Sequence, residues 1–178
     1  YSAATDDASS IYWNPAGLSR VPSVSATLMH ARYVADITYN AAAFATRLND
    51  SSVIAAGLRY LDIGTIPQTD INGLQRGDFH PSSYVAELGW GQAISDMSDS
   101  EMDIALGVSV KYLNTDLGAR AAAYGGDIGV LSRFYGAART YDMSLAVQNV
   151  GAGQKFDLTR DTLPLRLRFG GDVRPIKP

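Results

Sequence analysis

Apolar and polar residues alternate one for one along much of this chain. The clearest run is residues 102–112. Met102, Ile104, Leu106, Val108, Val110 and Tyr112 share one parity; Asp103, Ala105, Gly107, Ser109 and Lys111 share the other. A helix would scatter both sets around its axis, whereas a strand sends them to opposite faces. The same period of two runs through residues 53–61, 83–94, 122–134 and 164–173, and more weakly through 143–150. Residues 24–33 and 36–48 read as strands from their context, with faces undetermined. The pattern predicts an all-β chain of eight strands in an antiparallel meander.

The connections differ in length. Residues 49–52 and 95–101 are short and polar, 114–120 and 151–162 are intermediate, and 63–81 is long, with Pro67, Gly73, Gly77 and Pro81. Tight turns at one end of a sheet and longer loops at the other are the habit of outer-membrane barrels. A half-buried sheet in water produces the same alternation, so the pattern alone leaves both open. Two details favour the barrel. The polar parity is rich in glycine, at Gly57, Gly89, Gly91, Gly107, Gly129 and Gly170. Glycine weakens an exposed strand but suits one that a second backbone approaches closely. The apolar parity carries Tyr60, Tyr84, Trp90, Tyr112, Tyr124 and Phe134 toward strand ends, as in the aromatic girdles of membrane barrels.

The apolar parity of the five clear strands holds no charge. The opposite parity holds Arg59, Glu87, Asp103, Lys111, Asp127, Arg133, Arg166, Arg168 and Asp172. In a barrel these nine would face the lumen. Their mixed signs imply ion pairing and a closed interior rather than an ion-selective pore; a solvated outer face would be equally mixed. Asp103 and Lys111 lie roughly 26 Å apart at strand rise and cannot meet. Partners are therefore expected across strands, with Asp127, Glu87, or Asp6 and Asp7 neutralising basic residues that include Arg59 and Arg133. Arg166 and Arg168 share a parity two residues apart and repel unless acids lie between them.

Composition narrows the chemistry. The 178 residues are 46% hydrophobic and 19% charged, enough to bury a core. No apolar run approaches the ~20 residues of a membrane helix. The net charge of −3 with no basic block argues against nucleic acid. There is no cysteine, which removes disulfides, thiolate zinc sites and cysteine nucleophiles. His30 and His80 stand far apart without a serine or acid at catalytic spacing, so no enzyme activity and no cofactor are expected. Residues 70–78 carry scattered oxygens but not the EF-hand spacing, so no metal is expected. Both ends of the chain read as cut.

Before the first strand stands Asp6-Asp7-Ala8-Ser9-Ser10-Ile11-Tyr12-Trp13-Asn14-Pro15-Ala16-Gly17-Leu18. Asp6 or Asp7 can cap a short helix over residues 10–12, Asn14-Pro15 ends it, and Gly17 allows a turn toward the first strand. This run resembles the N-terminal signature of the PorV/PorQ-like outer-membrane proteins, within the FadL-type barrel superfamily. Three later runs resemble family strands in the expected order: Tyr124-Gly-Gly-Asp-Ile-Gly-Val-Leu131, Gln148-Asn-Val-Gly151 and Leu163-Pro-Leu-Arg-Leu-Arg-Phe-Gly170. The resemblance implies a transmembrane barrel of about fourteen strands, of which eight are present. It implies an N-terminal plug over residues 1–20 holding Asp6, Asp7, Asn14, Pro15, Ala16 and Gly17, followed by the partial barrel over 21–178. It places the protein in the bacterial outer membrane, in contact with its lipid. The function implied is service to type IX secretion, receiving or shuttling secreted cargo with components of the secretion machinery. The superfamily offers an alternative, a channel for hydrophobic small molecules such as fatty acids. A soluble β-barrel binding module is the third reading, separable from both by whether the protein needs detergent.

Overall fold

The computed structural model describes residues 2–94, 102–156 and 159–175. The chain is all-β, 67% strand and 6% helix, and its main element is an antiparallel eight-stranded half-barrel sheet. The sheet is built from β1 (Val24–Arg32), β2 (Thr38–Arg47), β3 (Ser52–Asp62), β6 (Ser82–Ala93), β7 (Met102–Asp116), β8 (Arg120–Tyr135), β9 (Arg139–Gly151) and β12 (Arg166–Pro175). Their order in space is β1-β2-β3-β6-β7-β8-β9-β12, so each strand pairs with the next of this set along the chain.

Two stretches read as loops contain strands of their own. The long connection after β3 folds into a hairpin of β4 (Ile66–Thr69) and β5 (Gln75–Phe79). The connection after β9 holds β10 (Gln154–Phe156) paired with β11 (Thr159–Asp161). The first does not alternate strongly in sequence because it has no buried face to pattern, and the second is too short, at three residues a strand, to show a period. Residues 114–120 are also mostly strand: β7 runs on to Asp116 and β8 begins at Arg120, leaving a three-residue turn in which Gly118 has φ +92°. The expected short turn over residues 95–101 lies outside the described residues.

The sheet is inside out relative to a sheet half-buried in water. On the outward face Val110 is 63% exposed, Phe169 74% and Leu28 84%, whereas on the other face Glu87, Asp127 and Lys111 are 2%, 1% and 6% exposed. Outward positions of the eight strands between the aromatic rows carry no Asp, Glu, Lys or Arg among the described residues. The rings form rows. Tyr60 stands opposite Tyr84, and Tyr84, Tyr112 and Tyr124 follow with centroids 6.0 and 5.2 Å apart. Ten residues further along β8, Phe134 sits between Met102 and Tyr141.

What covers the charged face is the N-terminal segment. It forms α1 (Ser10–Trp13) and then a 3-10 helix, Pro15–Arg20. Residues 14–19 are all buried. Ile11, Leu18 and Val21 pack with Ala43, Ala45, Val53 and Ala55 into the main apolar cluster, and Ala16 packs with Ala105 and Leu131 into a second. Ser19 reaches β2 through Arg47, and its neighbour Arg20 reaches β9 through Asp142. A flat sheet would hold β2 and β9 roughly 24 Å apart at ~4.8 Å per strand, while adjacent Cα atoms lie only ~3.8 Å apart. The sheet therefore curls around the segment.

Two expectations about this segment change. Gly17 is not a turn residue: it lies within the 3-10 helix without a positive φ, and a Cβ there would strike the Thr5 side chain. Asp7 does not cap α1 directly. Its carboxylate accepts from the Ser9 N–H at 2.8 Å and the Ser9 hydroxyl at 2.6 Å, one step ahead of the helix, and Asp6 is exposed. Asn14 is the residue that caps, accepting from the Ala16 N–H at 3.0 Å to start the 3-10 helix.

Candidate functional site

The polar face is shaped by missing side chains. A Cβ on Gly107 would run into the Pro15 carbonyl and Ala16 nitrogen, and one on Gly129 into the Asn14 side chain. Gly57, Gly89, Gly91 and Gly170 meet Tyr12, Ile11 with Leu18, Leu18 with Ser19, and Ser2 with Ala3 in the same way. All six glycines of the polar parity therefore mark where the segment's atoms touch the sheet, across five strands. Only such a glycine track lets two backbones approach this closely.

Polar side chains of the sheet then satisfy the ends of the two short helices. Gln148 donates through Nε2 to the Tyr12 and Trp13 carbonyls, at 3.0 and 3.3 Å. Arg47 donates to the Ser19 carbonyl at 2.8 Å and the Val21 carbonyl at 2.6 Å. These are carbonyls a helix end leaves without partners. Asn14 donates to the Val130 carbonyl at 3.2 Å, and the Tyr12 hydroxyl to the Ala42 carbonyl at 2.5 Å. Burial, reinforced by the Glu87 charge, pushes the Tyr12 phenol up to about 12, so it stays a donor.

The nine expected charges all lie on this covered face, in two clusters and some separate contacts. The first cluster joins Arg59, Glu87, Lys111 and Asp127. Arg59 pairs with Glu87 and stacks over the Tyr12 ring at 4.9 Å, and Lys111 binds Asp127 at 2.8 Å with Glu87 at 3.7 Å. A bulge in β9 completes it. Asn149, at φ +63°, donates its N–H to Asp127 at 2.8 Å and accepts from Lys111 at 3.1 Å.

The second cluster centres on Asp142, a residue the sequence reading missed. Arg133 and Arg20 each approach its carboxylate to 2.8 Å, and Arg174 lies at 3.8 Å. Burial pulls the Arg20 guanidinium below its ordinary value, against the pull of Asp142. Arg133 is thus neutralised by Asp142, not by Asp127, Glu87, Asp6 or Asp7. Asp103 accepts from the Tyr135 hydroxyl, and Asp172 binds Arg174 at 2.6 Å. Asp103 and Lys111 stay apart, each with its own partners.

Arg168 donates to Gln148 Oε1 at 2.6 Å and stacks over the Trp13 ring at 5.0 Å. Among the described residues neither Arg166 nor Arg168 has a carboxylate within 4 Å, so no acid lies between them. Both border a cavity of about 680 Å³ beside α1, whose other walls include Tyr12, Trp13, Met29, Tyr39 and Lys111. That volume falls in the range of small-molecule sites, ~300–1,000 Å³.

No family model matches the chain, and no curated protein matches it.

Proposed function

We propose that this chain belongs to an outer-membrane β-barrel whose interior is closed by its own N-terminal segment, and that it serves transport across that membrane. One observation carries the reading. Between the aromatic rows the outward face of the sheet is mainly apolar and, among the described residues, free of formal charge, while Glu87, Lys111, Asp127 and Asp142 on the opposite face are buried and paired beneath the N-terminal segment. A protein in water would do the reverse, because exposing so continuous an apolar surface invites association. In lipid the arrangement is favourable, since a Lys or Arg at the bilayer midplane costs about 2–4 kcal/mol. The dimensions agree. From Tyr124 to Phe134 is ten residues, roughly 33 Å along the strand, and a tilt of ~40° reduces this to about 25 Å, the height of the lipid-facing band.

The N-terminal signature supports a PorV-like protein that receives or shuttles cargo for type IX secretion. The cavity supports the second transport reading, a FadL-like channel for small molecules, because a walled space of this size suits a small ligand better than a folded cargo. Reconstitution into liposomes tests the common claim. The protein should float with the vesicles after carbonate washing and migrate faster on gels before boiling than after. A fully soluble protein that never partitions into detergent would overturn it. Between the two readings, ligand flux into vesicles supports the channel, and capture of secreted cargo without flux supports the secretion accessory.

A further inference from the structure

Among the described residues, the charges at the wall of the large cavity do not balance. Four cations, Arg59, Lys111, Arg166 and Arg168, line it, and no carboxylate does. Glu87 and Asp127 behind the wall account for Arg59 and Lys111. Arg166 and Arg168 remain, on one face of β12 two residues apart, with no acid partner among the described residues. Arg168 is nevertheless held in place. Gln148 takes its Nε–H, and the Trp13 ring lies under its guanidinium, which leaves its terminal N–H groups free of carboxylates. Gln148 is itself fixed by the Tyr12 and Trp13 carbonyls. A positioned guanidinium beside a second one, at the wall of a cavity with aromatic sides, is a receptor for an oxyanion.

We infer that Arg166 and Arg168 form a binding subsite for a phosphate monoester whose organic part lies against Trp13, Tyr12 and Tyr39. The charge selects the class. Two uncompensated guanidiniums match a group carrying about −1.5 to −2 at neutral pH, which a phosphate monoester does and a single carboxylate does not. Three tetrahedral oxygens can also engage two separated arginines at once, and the aromatic wall adds stacking area for the organic part. This inference rests on the closed-barrel reading only for the identity of the cavity as an interior space; the binding itself needs no transport.

The test uses the intact protein in a neutral sugar detergent, titrated calorimetrically with phenyl phosphate, inorganic phosphate, benzoate and phenol. Phenyl phosphate should bind saturably and at least about tenfold tighter than benzoate, inorganic phosphate should bind more weakly than phenyl phosphate, and phenol should not bind. Affinity for phenyl phosphate should fall as pH drops through about 6, where the second proton returns to the phosphate. Arg166→Gln and Arg168→Gln should each weaken binding tenfold or more. Arg166 is exposed, so its loss leaves the fold intact, and heat-modifiable migration verifies this for both variants. Inorganic phosphate binding as well as phenyl phosphate would overturn the aromatic part of the subsite. Equal binding of benzoate, or unchanged binding in the Arg166→Gln, Arg168→Gln double variant, would overturn the subsite itself. Binding without flux in vesicles would keep the subsite and remove the channel reading.

Discussion

Asp142→Asn tests how the N-terminal segment is held. The carboxylate of Asp142 is almost wholly buried and gathers Arg20 from the segment, Arg133 from β8 and Arg174 from β12. The amide keeps the volume but removes the charge, leaving three guanidiniums facing one another. Removing one partner of a buried ion pair costs about 3–5 kcal/mol. Arg20 and Arg133 keep 15% and 24% of their side-chain surface, so water softens the loss and the lower end, ~3 kcal/mol, applies. At ~1.4 kcal/mol per decade, the open state of the segment should gain on the order of a hundredfold. Amide exchange read by mass spectrometry in lipid nanodiscs measures this. Peptides covering residues 8–21, whose helical N–H groups are protected in the closed form, should exchange about a hundredfold faster. Peptides from β6 and β7 should be unchanged. Wild-type exchange over residues 8–21 would refute the idea that Asp142 anchors the segment.

Gly107→Val should displace the segment, because its Cβ alone overlaps the Pro15–Ala16 peptide, whereas Gly171→Ala should be silent, its Cβ meeting only the Asp142 carbonyl at 4.0 Å; protease sensitivity at Arg20 distinguishes them. Val108→Arg should lower the folded yield in vesicles by the equivalent of about 2–4 kcal/mol, while Thr65→Arg in the connection after β3 should not. The turn between β4 and β5 should be acid-sensitive. Hydrogen bonds from the Leu74 and Asn72 N–H groups and Arg76 hold the Asp70 carboxyl below its ordinary value, so the turn is stabilised above the unfolded carboxyl's pKa and loses that support as pH falls through the folded one; amide exchange at Asn72 and Leu74 reads it. The Tyr12 phenol, with its folded value near 12 above the unfolded ~10, supports the segment below pH ~10 and loses that support toward pH 12; Tyr12→Phe should abolish this alkaline phase in segment exchange.

The strands of the main sheet were legible because one face of each touches the segment and the other does not, and a two-residue period is the direct trace of that difference. The glycines were legible for a related reason: six on one parity, with no turn chemistry around them, mark a neighbouring backbone. The β4–β5 hairpin was not legible, since both of its faces are largely solvated and nothing selects alternation, and β10 and β11 are three residues each, too short to show a period. Asp142 was missed because the alternating run was read from residue 143, while β9 begins at Arg139; extending the parity by one would have put Asp142 on the inner face between Tyr141 and Met143. Arg47 and Arg20 carry no local signal at all. Arg47 reaches a carbonyl 26 residues away because β1 pairs with β2, and Arg20 reaches a carboxylate 122 residues away because the sheet curls.

The central claim is that the outward face of the sheet meets lipid while the opposite face meets the protein's own N-terminus. The absence of cysteine makes a direct measurement simple. Single cysteines placed at residues 106–111 of β7, carrying a nitroxide in reconstituted bilayers, report collision with oxygen, which concentrates in lipid, and with a water-soluble nickel chelate. Oxygen collision should peak at positions 106, 108 and 110 and fall at 107, 109 and 111, with the nickel chelate low throughout. High nickel accessibility at 106, 108 and 110 would put that face in water and contradict the account.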